Sequence, residues 1–284
     1  METAPITAGL DGSPESLAAA HWAAAEADRR GLALRLLHAW ILLVPEPEGL
    51  PVERDQDYWA KRIVHAAQAE IHQRFPSLAL VEELVAEDPA EALLRAADES
   101  AMVVLGSRGL DRIQSFFLGD VALHVAGRAG RPVVLVRAGT VPRHGTVVLG
   151  AGLHRPSDEV FAFAFDAAAS RGVPLHVIHG RPLPVQAYAP WGVDPDVAGD
   201  IQQGAEQELR AALRRWCQTY PDVPVTDTVR LESPARAVVD AAQDAALLVV
   251  GRRRHRPALT PRLSSVAQAG VHHASCPVAV VPHD

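Results

Sequence analysis

Residues 106–137 read GSRGLDRIQSFFLGDVALHVAGRAGRPVVLVR and follow the apolar run AMVVL; residues 251–281 read GRRRHRPALTPRLSSVAQAGVHHASCPVAVV and follow ALLVV. The two stretches close alike, RPVVLV against CPVAVV. The first has Gly109 and Gly119 where the second has Arg254 and Ser264. An apolar run, a turn-rich segment, a helical pattern and a second apolar run read as strand, loop, helix, strand. One such unit sits near the middle of the chain and one at its end, and that repetition decides the fold.

Working outward, ITAGL at residues 6–10 reads as a strand and SPESLAAAHWAAAEADRR as a helix, with Ser13 as cap and Pro14 at its first position. LALRLLHA gives a second strand around residues 32–39, followed by a helix from about Asp57 to Arg74 and a short strand near residues 80–86. Asp88 or Glu87 precedes Pro89 and the helix AEALLRAADES. The second half repeats this order. TVVLGAG matches ITAGLDG, SDEVFAFAFDAAASRG matches the first helix, and PLHVIHG matches LRLLHAW, which sets His179 on His38 at an offset of 141. LESPARAVVDAAQDAALLVVG matches AEDPAEALLRAADESAMVVLG, setting Pro234 on Pro89 and Gly251 on Gly106 at an offset of 145.

A segment order kept over this much chain indicates an internal duplication. The strands are apolar with little alternation, as in a parallel sheet covered on both faces by helices. The expected fold class is α/β: two tandem Rossmann-like domains, residues 1–140 and 141–284, each with a five-stranded, mainly parallel sheet flanked by helices. RAGTVPRHG at residues 137–145 is the linker, and the two domains are expected to pack as an intramolecular pseudo-dimer.

With 284 residues, 48% hydrophobic and 21% charged, the chain is not extensively disordered and holds apolar material for two cores. A formal net charge of -7 disfavours a nucleic-acid-binding body. The run Arg252, Arg253, Arg254, His255, Arg256 has no aromatic interleaving and reads as a solvated loop. Cys217 and Cys276 lack CxxC spacing, which suits a reducing compartment. No secretory signal is visible at the N-terminus, and no apolar run approaches the roughly 20 residues needed to span a bilayer. The expectation is a soluble, cytoplasmic protein with no nucleic-acid or membrane partner.

A strand ending in Gly106, then Gly109, then Gly119 opening a helix, describes a phosphate cradle: glycines let backbone amides reach an anion, and a helix N-terminus faces it. In open parallel sheets ligands sit beyond the carboxyl ends of the strands, where Asp11 also arrives and can accept from a ribose hydroxyl or orient a base. Histidines are numerous, but His272 and His273 are adjacent and no HExxH or HxH run occurs, so no metal site is expected. His38 and His179 lie at matching strand ends, which suggests structure over catalysis. No serine stands on a G-x-S-x-G elbow, nothing near Cys217 marks a lowered pKa, and no catalytic residue is assigned.

The glycine spacing G-x2-G-x9-G after a strand, with GLDGSPES, WAAAEADRR, LLHAW and HHASCPVAVV, resembles the tandem universal stress proteins of bacteria over nearly the whole chain. The resemblance implies a regulatory protein that binds ATP in its first domain with little or no turnover. By position it implies Gly9, Leu10, Asp11, Gly12 and Ser13 near base and ribose, with Ala39 at the second strand end. Leu105, Gly106, Arg108 and Gly109 would lie beside ribose and α-phosphate, and Gly119, Asp120 and Val121 beside the outer phosphates. The family carries a hydroxyl where this chain has Asp120, whose carboxylate brings like charge towards a polyphosphate. As a helix N-cap Asp120 is ordinary; weakened ATP binding, or a Mg²⁺ bridging Asp120 and phosphate, are the alternatives. In the second copy Gly152 replaces Asp11, and Arg254 and Ser264 replace two glycines, so no nucleotide site is expected there. Competing classes are a protein-interaction scaffold with both pockets degenerate and a slow ATPase. A homodimer and a regulatory protein partner are compatible with the first reading.

Overall fold

The computed structural model describes residues 4–41, 52–107, 118–139, 145–154, 156–184, 187–189, 192–255 and 262–284, with 52–57, 118–120, 188–189 and 192–193 described as backbone alone. Two compact units form, Met1–Thr140 and Val141–Asp284.

The first unit runs β1 (Ile6–Leu10), α1 (Pro14–Arg30), β2 (Leu34–Ala39), α2 (Val52–Arg74), β3 (Leu80–Val85), α3 (Pro89–Asp98), β4 (Met102–Ser107), α4 (Leu118–Arg128) and β5 (Val133–Arg137). Its strands pair in parallel in the order β3-β2-β1-β4-β5. The chain winds outward from β1 to β3, then returns to place β4 on the other side of β1. That reversal opens a crevice at the carboxyl ends of β1 and β4, where ligands of such sheets collect. Four consecutive residues of β4, Met102 to Leu105, are buried, as a strand covered on both faces requires.

Local signals fix α1 at both ends. Ser13 is its cap, with the hydroxyl accepting from the Ser16 amide, Pro14 begins it, and Gly31 ends it in the left-handed region at φ 63° and ψ 34°. Alanines 19, 20, 23, 24 and 27 are buried and bring the helix backbone close to the sheet. Glu26 is buried in the same helix and bonded by Arg29 and Arg30, one turn on.

The second unit runs β6 (Val147–Gly150), α5 (Asp158–Arg171), β7 (Leu175–Gly180), the short strands β8 (Tyr188–Ala189) and β9 (Gly192–Val193), then α6 (Pro195–Thr219), β10 (Val225–Arg230), α7 (Pro234–Ala241), β11 (Leu247–Arg253), α8 (Ser265–His273) and β12 (Val278–His283). Its parallel order is β10-β7-β6-β11-β12, the same winding, with β8 and β9 as a separate antiparallel pair.

Matched details recur. Gly172 ends α5 at φ 62° and ψ 36°, as Gly31 ends α1. His38 Nδ1 lies 2.8 Å from the Leu10 carbonyl oxygen, and His179 Nδ1 lies 2.8 Å from that of Ala151. Both rings therefore tie the end of one strand to its neighbour, a structural duty, as their matched positions suggest.

Three details differ from the sequence reading. α2 starts at Val52, ahead of the expected Asp57, because the intervening Glu53, Arg54 and Gln56 are good helix formers. β11 continues through Arg253, so the basic run begins in a strand: Arg252 is buried, while Arg253, Arg254 and His255 are exposed. Strand alternation, which sends neighbours to opposite faces, separates Arg252 from Arg253. α4 includes Asp120 in its first turn, so this residue is helical and is not the N-cap.

Among the described residues, no helix is long and apolar enough to cross a membrane.

Candidate functional site

The carboxyl ends of β1, β2 and β4 surround a cavity of about 840 Å³. Gly9, Leu10 and Asp11 reach it from β1 and the turn after it, Ser13 from the α1 cap, and Ala39 from the end of β2. Leu105 and Gly106 enter from β4, and Val121 from α4. Residues separated by more than a hundred positions thus share one wall. Gly12 does not line it; with φ at 80° it makes the turn, and a Cβ there would press on Ile63. Arg108 and Gly109 lie outside the described residues. Gly119 and Asp120 are described as backbone in the first turn of α4.

Asp11 is already engaged. Its Oδ1 accepts from the Ser13 amide at 2.8 Å and from the Ser13 hydroxyl at 2.5 Å, while that hydroxyl in turn accepts from the Ser16 amide. This orders the turn and holds the carboxylate at the cavity wall. A carboxylate offers about four lone-pair sites, so acceptor capacity extends beyond these bonds.

Gly106 answers to a further constraint beside the one read from sequence. A Cβ there would sit 2.6 Å from the Glu15 carbonyl carbon and the Ser16 amide nitrogen. The glycine lets β4 approach the backbone at the start of α1, whether or not an anion approaches as well. Gly9 is similarly constrained by Leu105 and Leu93 side chains.

Sequence reasoning missed the acidic lining. Glu15, Asp88 and Glu91 join Asp11 around this cavity, together with His124 of α4. Asp88 caps α3, its Oδ1 accepting from the Ala90 amide at 2.9 Å and the Glu91 amide at 3.2 Å. The Asp-Pro start of that helix was a visible signal for a carboxylate at a strand's carboxyl end. His124 lies one turn beyond Val121, on the same helix face. Its Nε2 is buried without a hydrogen-bond partner among the described residues.

The second unit holds a smaller cavity of about 390 Å³ at the matching strand ends. Gly152 lines it where the first unit has Asp11. Gly180 stands where the first unit has Ala39, and a Cβ on it would lie 2.5 Å from Pro234 Cα. The start of α7 therefore closes on β7 more tightly than Ala at this position would permit.

Neither cysteine enters either cavity. Cys276 is buried, and the Cys217 thiol is pushed up by desolvation and then by Asp227, which favours the thiol over the thiolate. Among the described residues, no group of three or more His, Cys, Asp or Glu could hold a metal ion.

The fold and its repeat define a duplicated α/β protein with a parallel sheet in each unit, and comparison with known proteins gives its family. The sequence profile of the universal stress protein family matches residues 3–137 and again 144–282, and the chain belongs to that family. A universal stress protein of Mycolicibacterium smegmatis is 34% identical over 290 residues, covering 97% of this chain and 96% of that one. One from Mycobacterium tuberculosis is 32% identical over 288 residues, with the same coverage of 97% and 96%. The crystal structure of a universal stress protein from Archaeoglobus fulgidus shares the fold, with a TM-score of 0.71, 16% identity, and coverage of 98% of this chain and 96% of that one.

Proposed function

We propose that the first unit binds an adenine nucleotide, ATP by preference, and that the protein acts in the cytoplasm as a stress-response sensor or regulator with little or no turnover. The observation that carries this reading is the cavity of about 840 Å³, within the usual range for small-molecule sites, walled jointly by the β1, β2 and β4 ends. In this reading the base rests among Leu10, Leu37 and Leu105, the ribose hydroxyls donate to Asp11, and the phosphates extend towards the first turn of α4. No residue is assigned to hydrolysis.

The lining carboxylates set the electrostatics. Asp11, Glu15, Asp88 and Glu91 oppose a bare triphosphate, since each pair of like unit charges 4 Å apart costs about 1 kcal/mol in water and more where water is displaced. Mg²⁺ is therefore expected to strengthen ATP binding, and metal-free ATP to bind more weakly than AMP.

Calorimetry on the full chain with ATP and AMP, each with Mg²⁺ and with chelator, tests this. One site per chain is expected, and Asp11→Ala should weaken it by about 1.5–3 kcal/mol, the range for a hydrogen bond to a charged group. Asp120→Ser tightens metal-free ATP if Asp120 repels phosphate, and weakens Mg-ATP if it shares the metal. Absence of binding in all four titrations would defeat the reading and leave the scaffold class.

A further inference from the structure

The second cavity is not merely a reduced copy of the first. Its ionisable lining is His154, His179, Arg181, Arg253 and His283, with no carboxylate among the described residues that line it. The first cavity has four carboxylates and His124. The charge has inverted between two sites built on the same strand ends.

Each basic side chain arrives at a carboxyl end by topology. His154 follows β6, His179 and Arg181 come from the end of β7 and the residue after it, and Arg253 and His283 end β11 and β12, where they pair in register. Ser157 and Ser264 also line the cavity; they cap α5 and α8, so two helix N-termini stand at its edge. Oriented amides there add positive potential to the side-chain charge.

The cations are incompletely neutralised by the protein. Arg253 makes no ion pair among the described residues. Arg181 Nη1 approaches Glu208 at 3.6 Å, a loose and exposed pair. Asp284 is taken up by Arg254 and His255, at 3.4 and 3.3 Å. His179 and His283 have their Nδ1 atoms against the carbonyls of Ala151 and Asp284, at 2.8 and 2.9 Å. Their Nε2 atoms are the ones left to a ligand, and that of His283 lies over Gly251, 2.9 Å from where a Cβ would stand.

We propose that the second unit binds a compact oxyanion of the phosphate or pyrophosphate class in this cavity, and no adenine nucleotide. The planar Arg253 guanidinium supplies paired donors of the geometry such an anion takes. The volume of about 390 Å³, under half that of the first cavity, suits the smaller ligand. The closure of α7 on Gly180 holds it to that size.

The test uses inorganic phosphate and pyrophosphate as probes, with adenosine as the control, titrated calorimetrically into the full chain. Wild type is expected to bind pyrophosphate at one site, and Arg253→Ala to weaken it by tenfold or more. Arg253→Lys, which keeps the charge but loses the fork, should recover part of that loss. Arg253 is exposed, so circular dichroism should show all variants folded. The proposal is overturned if neither probe binds, if pyrophosphate binding is indifferent to Arg253→Ala, or if adenosine titrates two sites per chain. It does not depend on the nucleotide reading of the first unit: Arg253 is remote in sequence from that cavity's lining, and Asp11→Ala should leave pyrophosphate binding unchanged.

Discussion

At matched strand ends the two units carry opposite chemistry: Asp11, Glu15, Asp88 and Glu91 in the first, Arg181, Arg253 and three histidines in the second. Behind those ends the scaffolds agree to small detail. The glycine caps Gly31 and Gly172 share a conformation, and His38 and His179 make the same bond to the same neighbouring strand. Duplicated folds hold constant what keeps the sheet together, and diverge where the strands end and a ligand sits.

The divergence also reaches the helix layer. Phe161 and Phe165 of α5 stack on Trp216 of α6 at centroid separations of 6.4 and 6.0 Å, and Phe165 lies 5.5 Å from the tilted ring of Tyr220, the residue that ends that helix. The matching positions of α1, an offset of 141 earlier, are the buried Ala20 and Ala24. The largest expected effect follows from this contrast. Phe165→Ala removes a fully buried ring and should cost the second unit about 3–5 kcal/mol, read as a lower urea midpoint. A loss under 1 kcal/mol would show that the aromatic layer is not what holds α5 and α6 together.

The next change writes the first unit's residue into the second. Gly180→Ala places a Cβ 2.5 Å from backbone at Pro234 and should cost about 1–3 kcal/mol through overpacking. Gly152→Ala is the control: nothing stands within 4 Å of its Cβ and its φ is not positive, so it should be neutral or slightly stabilising. Equal effects of the two changes in thermal unfolding would remove the steric account of the smaller cavity.

The smallest effect is pH-dependent. His176 in β7 sits 3.0 Å from the Thr228 hydroxyl, and burial, then Arg230, holds its pKa below the ordinary value of 6.5. The unfolded chain then binds this proton more readily than the fold does. Its effect on stability is nil above about pH 6.5 and becomes a loss as pH falls below that. His176→Gln should flatten the acid side of the stability profile slightly, since the ring is only partly buried. An unchanged slope between about pH 5 and 6.5 would remove His176 from the account.

Much of the fold was legible because its signals are local. Ser13, Pro14 and Gly31 mark one helix in consecutive sequence, and Val133 to Val136 mark a buried strand without reference to anything else. The cavities were legible only in part. Gly106 was found through the glycine spacing and Asp11 through its place at the end of the first strand, but Glu91, His124, Arg181 and His283 meet their cavities through topology, from positions with no shared motif. The packing duty of Gly106 was hidden for the same reason, since the backbone of Glu15 and Ser16 that crowds it is ninety residues away. The basic run at residues 252–256 looked like solvated loop because its charge hid a strand's last residues, Arg252 turned in and Arg253 turned out.

Crossing two variants with two ligands tests the asymmetry of the units most directly. Mg-ATP and pyrophosphate are titrated into wild type, Asp11→Ala and Arg253→Ala, with stoichiometry and affinity read for each. The account predicts one ATP site per chain, weakened by Asp11→Ala and indifferent to Arg253→Ala, with pyrophosphate showing the reverse pattern. Two equivalent ATP sites per chain, or a single variant that weakens both ligands alike, would contradict it.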